Sequence, residues 1–137
     1  MRRETQFSMK LRSLIHLYGH HTVRVENGPV GILPDIYVMD ATPSGDQFWI
    51  ETKQGQFYRE TNWGLNSGQK IEFKKMANFR VMVLVVYYDT KNFVIKVGRV
   101  TKSGEVSLIY EHELLANVVI EGLGLVDVNK GDRLSRV

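Results

Sequence analysis

The chain has 137 residues, 43% of them hydrophobic and 24% charged, which is enough to bury a core and short enough for a single domain, 1–137. It contains no cysteine, so disulfides, thiolate metal sites and cysteine nucleophiles are excluded, and any metal must be held by oxygen or imidazole. The net charge of +3 permits an anionic partner without requiring one.

In chain order, residues 3–18 read as a helix, because Phe7, Leu11, Leu14, Ile15 and Tyr18 fall on one stripe before the helix-stopping Gly19. Residues 21–27, 34–40 and 46–53 read as strands. The turn-rich stretch 41–45, "ATPSG", joins the second and third as a hairpin. Residues 54–66 show no period and are expected to be a loop; residues 66–79 form a helix capped by Asn66 or Ser67. The run 80–88, "RVMVLVVYY", is the most apolar in the chain and predicts a strand covered on both faces. Strands at 92–100 and 105–112 follow around a "TKSGE" turn, and a helix-like start at 114–117 then loses its pattern. No apolar run approaches the roughly 20 residues that cross a bilayer, and the N-terminus lacks the apolar centre of a secretory signal. The expectation is a cytoplasmic protein with no membrane partner.

The hairpin 34–53 carries the chemistry. Glu51 and Lys53 alternate onto one strand face. If Asp35 lies opposite Glu51, then Asp40 faces Asp46 and residues 41–45 close the loop, as the turn residues require. Paired strands lie roughly 4.8 Å apart, so both carboxylates can reach one hard divalent cation. Lys53, roughly 6.7 Å farther along the strand, can position or deprotonate a nucleophile or neutralise developing charge. Taken singly, E-x-K is more often an exposed ion pair and "PD" more often a turn.

"PD" at 34–35 followed by "ETK" at 51–53 resembles the signature of the PD-(D/E)xK nuclease superfamily. Among its members the chain is most like stand-alone virus-type replication-repair nuclease (VRR-NUC) domains and archaeal-type Holliday-junction resolvases. The resemblance implies a restriction-endonuclease-like α/β fold. Its αβββαβ core (residues 3–88) would have a mixed central sheet flanked by helices, followed by an additional C-terminal β-hairpin and tail at 89–137. It implies catalytic roles for Asp35, Glu51, Lys53 and Gln69. It further implies a Mg²⁺ site, open to Mn²⁺, built from Asp35, Glu51, the Thr52 carbonyl and Glu4, the last placed like the helix-borne acid of many members. Gln69 resembles the glutamine that follows the signature in VRR-NUC domains, and Arg24 a basic residue before the "PD" strand of the resolvases. The chain departs from the VRR-NUC pattern in having two residues between Gly31 and Pro34, a long stretch from Lys53 to Gln69, and Asn78 in place of a glycine.

The implied activity is metal-dependent endonucleolytic hydrolysis of DNA. It would be selective for junctions or branches, in replication-repair or recombination, since no base-reading element stands out. A homodimer is expected for symmetrical junction cutting, and a phage or mobile element acting in the host cytoplasm is the expected source. The alternatives are a restriction-type enzyme and a non-catalytic DNA-binding or assembly module. Arg2, Arg3, Arg24, Arg59, Lys70 and Lys74 are the candidate DNA contacts; an ordinary charged outer face explains each singly. Glu4 equally suits a helix's first turn, and Gln69 a cap. Tyr58, Arg59 and Trp63 either stack on unpaired bases or pin the loop. His20 and His21 point to opposite faces and are read as structural.

Overall fold

The computed structural model describes residues 5–26, 31–39, 48–119 and 123. The elements follow the expected order: α1 (Gln6–Leu17), β1 (His21–Arg24), β2 (Ile36–Met39), β3 (Phe48–Gly55), α2 (Ser67–Asn78), β4 (Val83–Asp89), β5 (Val94–Val100), β6 (Val106–His112) and a short α3 (Leu115–Asn117). The six strands form one mixed sheet in sequential order, parallel only between β3 and β4, where α2 supplies the crossover that a parallel pair needs.

Strand alternation divides the core in two. Ile36, Val38, Phe48, Ile50, Leu84, Val86, Ile95 and Val97 face α1 and pack on its stripe of Phe7, Leu11 and Ile15. Val83, Val85, Tyr87 and Val100 face the other way, against Phe73 of α2 and against Trp63 and Leu65 of the segment before it. The seven residues of β4 are covered on both sides, as the apolar run predicts. Each fully buried aliphatic side chain contributes roughly 1.5–3 kcal/mol, so these two layers dominate the fold's stability.

Several boundaries differ from the sequence expectation. Thr5 caps α1 by accepting the Ser8 N–H at 3.1 Å, and residues 1–4 lie outside the described residues. The strand expected from residue 80 begins at Val83, because Arg80 takes a left-handed φ of 65° and the Val81 N–H still bonds the Met76 carbonyl of α2 at 2.9 Å. The glycine expected at Asn78 is not needed there: Asn78 ends the helix and donates to the Lys74 and Lys102 carbonyls at 2.8 and 2.9 Å, and the left-handed turn falls at Arg80 instead. The segment 54–66 is not wholly loop: β3 runs on to Gly55 and a 3-10 turn spans Arg59–Thr61. The C-terminal hairpin is no appendage, since β5 joins β4 and extends the sheet.

Candidate active site

The register of the β2–β3 hairpin is the expected one. Ile36 pairs with Ile50, Tyr37 with Trp49 and Val38 with Phe48, which sets Asp35 opposite Glu51; the connecting turn lies outside the described residues. Trp49, Glu51 and Lys53 project toward α2, and Tyr37 stacks obliquely on Trp49 with ring centroids 4.8 Å apart.

Asp35 is fixed by its neighbours on both sides. Its carbonyl accepts the Val25 N–H at 2.8 Å. Its carboxyl accepts the Thr52 N–H at 3.0 Å and the Thr52 hydroxyl at 2.6 Å. Pro34 and Asp35 precede β2, so the carboxyl stands in for the ladder acceptor that β2 does not supply to Thr52. The Asp35 carboxyl is therefore held against Thr52 of β3.

Glu51 is only 4% exposed and Gln69 is fully buried. The Gln69 amide donates to Glu51 Oε2 at 2.9 Å, and Lys53 Nζ lies 3.1 Å from Gln69 Oε1 and 3.2 Å from Glu51 Oε2. The three side chains form a closed triangle. Gln69 is placed by the start of α2, where Asn66 and Gln69 make a capping box. The Gln69 N–H donates to Asn66 Oδ1 at 2.8 Å, and the Asn66 N–H donates to Gln69 Oε1 at 3.1 Å. The amide orientation follows: Oε1 faces two donors and Nε2 faces a carboxylate, so the flipped amide would oppose all three. The stem of Lys53 is walled by the turn after Arg59–Thr61, since a Cβ added to Gly64 would lie 3.9 Å from Lys53 Cδ.

Burial raises the Glu51 pKa from 4.5 to about 7, and the nearby Asp35 charge adds to the rise; Lys53 and Gln69 oppose it without cancelling it. Burial also raises Asp35 against the pull of its Thr52 hydrogen bonds. Two carboxyls that resist ionisation side by side make a pocket short of positive charge, which Lys53 relieves only in part. Oxygen-only donors of this kind fit a hard divalent cation. Asp35, Glu51 and the Thr52 carbonyl are the donors available; among the described residues no cluster of three or more acidic or imidazole side chains assembles, and Glu4 lies outside them.

The structure thus gathers Asp35, Glu51, Thr52, Lys53 and Gln69. It does not gather Arg24, which pairs with Ile36 and so faces α1, where it forms an ion pair with Glu26 at 3.7 Å. Arg2 and Arg3 lie outside the described residues. Arg59, Lys70 and Lys74 are exposed and line one groove of about 770 Å³ on the α2 face. Trp63 is 4% exposed and packs edge-on to Phe57 and Tyr87, so it pins the loop, whereas Tyr58 and Arg59 stay at the surface. His20 is buried, and His21 stacks on His16, whose Nε2 lies 2.7 Å from the Thr22 hydroxyl; both histidines are structural.

Sequence reasoning missed the hydroxyl of Thr52, although its place inside "ETK" was visible. It also read Asn66 only as a cap. The spacing Asn66-x-x-Gln69 is itself a capping-box signal, and it shows that an Asn66 cap would fix the very glutamine singled out for the site. Lys96, which shares a cross-strand row with Lys53 and Tyr87, is placed only by tertiary pairing. Among the described residues no helix is long and apolar enough to cross a membrane. Comparison of the chain with protein-family models, with curated proteins and with solved structures finds no match.

Proposed function

We propose that the protein is a metal-dependent endonuclease that hydrolyses DNA phosphodiester bonds on a restriction-endonuclease-like core of the PD-(D/E)xK type. The observation that carries the reading is the Glu51–Lys53–Gln69 triangle beside Asp35, with Glu51 and Gln69 buried and Lys53 half-buried. A purely structural ion pair gains little from burying its carboxylate, as Glu51 is buried here. An added carboxylate next to that pair makes the arrangement costlier still unless a cation joins it.

Asp35, Glu51 and the Thr52 carbonyl would hold Mg²⁺ or Mn²⁺, with Glu4 as a further oxygen donor. When bound, such an ion polarises the phosphate and lowers the pKa of a coordinated water. The chain's own groups do the rest. Thr52 holds both Asp35 oxygens through its N–H and hydroxyl, so the carboxylate is oriented before any ligand arrives. Lys53 has three N–H donors, and Glu51 and Gln69 take two of them. The third is left to meet a phosphate oxygen or the attacking water and to offset charge as it builds. Gln69 holds Lys53 and Glu51 in register through the capped end of α2.

The test is cleavage of linear duplex, flap, single-stranded and four-way-junction DNA with Mg²⁺ or Mn²⁺, beside Lys53→Ala and Asp35→Ala, with circular dichroism to show that each variant folds. Loss of at least about 10²-fold in rate is expected for both. Cleavage undiminished in both variants overturns the site. Binding with no cleavage on any substrate or metal assigns the protein instead as a non-catalytic DNA-binding module.

A further inference from the structure

The groove on the α2 face is built from three parts that are far apart in sequence. The segment after β3 contributes Phe57 and Arg59, α2 contributes Lys70, Ile71 and Lys74, and the β5–β6 hairpin contributes Lys96 and Leu108. The hairpin is fastened there by specific contacts. Asn62, itself left-handed at φ 50°, donates to the Gly104 carbonyl at 3.1 Å and accepts the Val106 N–H at 3.0 Å. Trp63 lies under Gly98, where an added Cβ would come within 2.8 Å of the indole. The stem of Lys74 rests on Gly104, whose absent side chain would sit 3.3 Å from the Lys74 Cβ. The groove's walls are therefore held rigidly together.

The groove also lies on the same sheet face as the triangle. Lys53, Tyr87, Lys96 and Glu111 form one row across β3 to β6. At roughly 4.8 Å per strand, Lys96 stands about 10 Å from Lys53, on the same face of the sheet.

Charge alone does not select the ligand. Glu60 and Glu105 line the groove as well, and Lys96 is already paired with Glu111 while lying 4.9 Å over the Phe57 ring. Arg59, Lys70 and Lys74 form no ion pair with the described residues, so they remain available to an anion. The apolar lining decides the class. Ile71 is 60% exposed and Leu108 50% exposed, an arrangement that leaves apolar area for a ligand with apolar faces of its own. A duplex presents phosphates but hides its base faces. An unpaired strand presents both.

We propose that this groove binds an unpaired nucleic-acid strand leading away from the Glu51–Lys53 site, with the C-terminal hairpin as its far wall; this rests on the nuclease reading for the direction of the strand but not for the binding itself. The experiment is fluorescence anisotropy in EDTA with labelled oligothymidylate of about 12 nucleotides, within the usual span of single-strand sites, against a duplex of the same length. Wild type is expected to prefer the single strand. The double variant Arg59→Glu/Lys70→Glu should weaken that binding at least about 10-fold and flatten its salt dependence by about 1.4 in slope, the value for two lost phosphate contacts on a single strand. Lys70→Gln/Lys74→Gln, a gentler change, should act in the same direction, and Ile71→Ser should erode the preference for single strand over duplex. Equal affinity for both nucleic acids, or unchanged binding in both charge variants, overturns the proposal. Competition by polyglutamate as effective as by oligothymidylate overturns it in favour of an acidic protein partner. Binding without any cleavage in Mg²⁺ would sink the nuclease reading and leave the groove standing, whereas unpaired-arm cleavage at full efficiency in the groove variants would do the reverse.

Discussion

Replacing Glu51 by glutamine is expected to change how the metal-free protein's stability depends on pH. Glu51 is 4% exposed, and its pKa lies at about 7 in the folded chain against 4.5 for an ordinary glutamate. Between those values the folded state keeps a proton that the unfolded state releases, so stability falls as pH rises through the window and the loss is complete above about 7. At about 1.4 kcal/mol per pH unit, the span from 4.5 to about 7 is about 3.5 kcal/mol, an upper bound because the Asp35 charge next to Glu51 titrates with it. Glutamine keeps the shape and can accept from Gln69 and Lys53 but cannot ionise, so the slope should largely vanish. His16 acts the opposite way: burial and the charges of Arg12 and His21 lower its pKa, adding stability as pH rises through the imidazole range. That ring is common to both proteins, so it cancels in the comparison. The assay is urea unfolding at intervals from about pH 5 to about pH 8, in EDTA and again with Mg²⁺. Mg²⁺ should stabilise the wild type increasingly as pH rises and leave Glu51→Gln nearly unaffected. Parallel stability curves for the two metal-free proteins would refute the reasoning, since the proton would then reside elsewhere.

Two further outcomes follow from the same contacts. Asn66→Ala removes the acceptor for the Gln69 N–H and should cost about 1 kcal/mol in unfolding free energy; it should also lower the cleavage rate, and Asn66→Ser, which restores a cap, should recover both. Gly98→Ala would bring a Cβ within 2.4 Å of Val106 Cγ1 and 2.8 Å of Trp63, an overpacking that should destabilise by about 1–3 kcal/mol, read by thermal unfolding.

The parts of this molecule that could be read from sequence are those fixed by local periodicity. The Asp35–Glu51 register was legible because a two-residue alternation and a turn-rich stretch leave one pairing, and the β2–β3 ladder has it. β4 was legible as a strand buried on both faces, but its start was not, since nothing local tells that Arg80 will take a left-handed turn. The segment 54–66 could not be read because its order comes from Trp63 packing under Gly98, thirty-odd residues away in sequence and on another strand. The same holds for the hairpin, whose attachment to β4 is a tertiary pairing. For Gln69 the two competing readings, a helix cap and a site residue, do not exclude each other: one oxygen serves Asn66 and Lys53 together.

That shared oxygen ties chemistry to local folding. The first turn of a helix is where fraying begins, because its N–H groups have no partners within the helix. Here the residue that closes the fray is the one that aligns Lys53 with Glu51. A molecule whose α2 has opened at its start has therefore already lost the Glu51–Lys53–Gln69 arrangement, however intact the sheet beneath it. On the nuclease reading, partly unfolded copies would be inactive without any second domain or regulator.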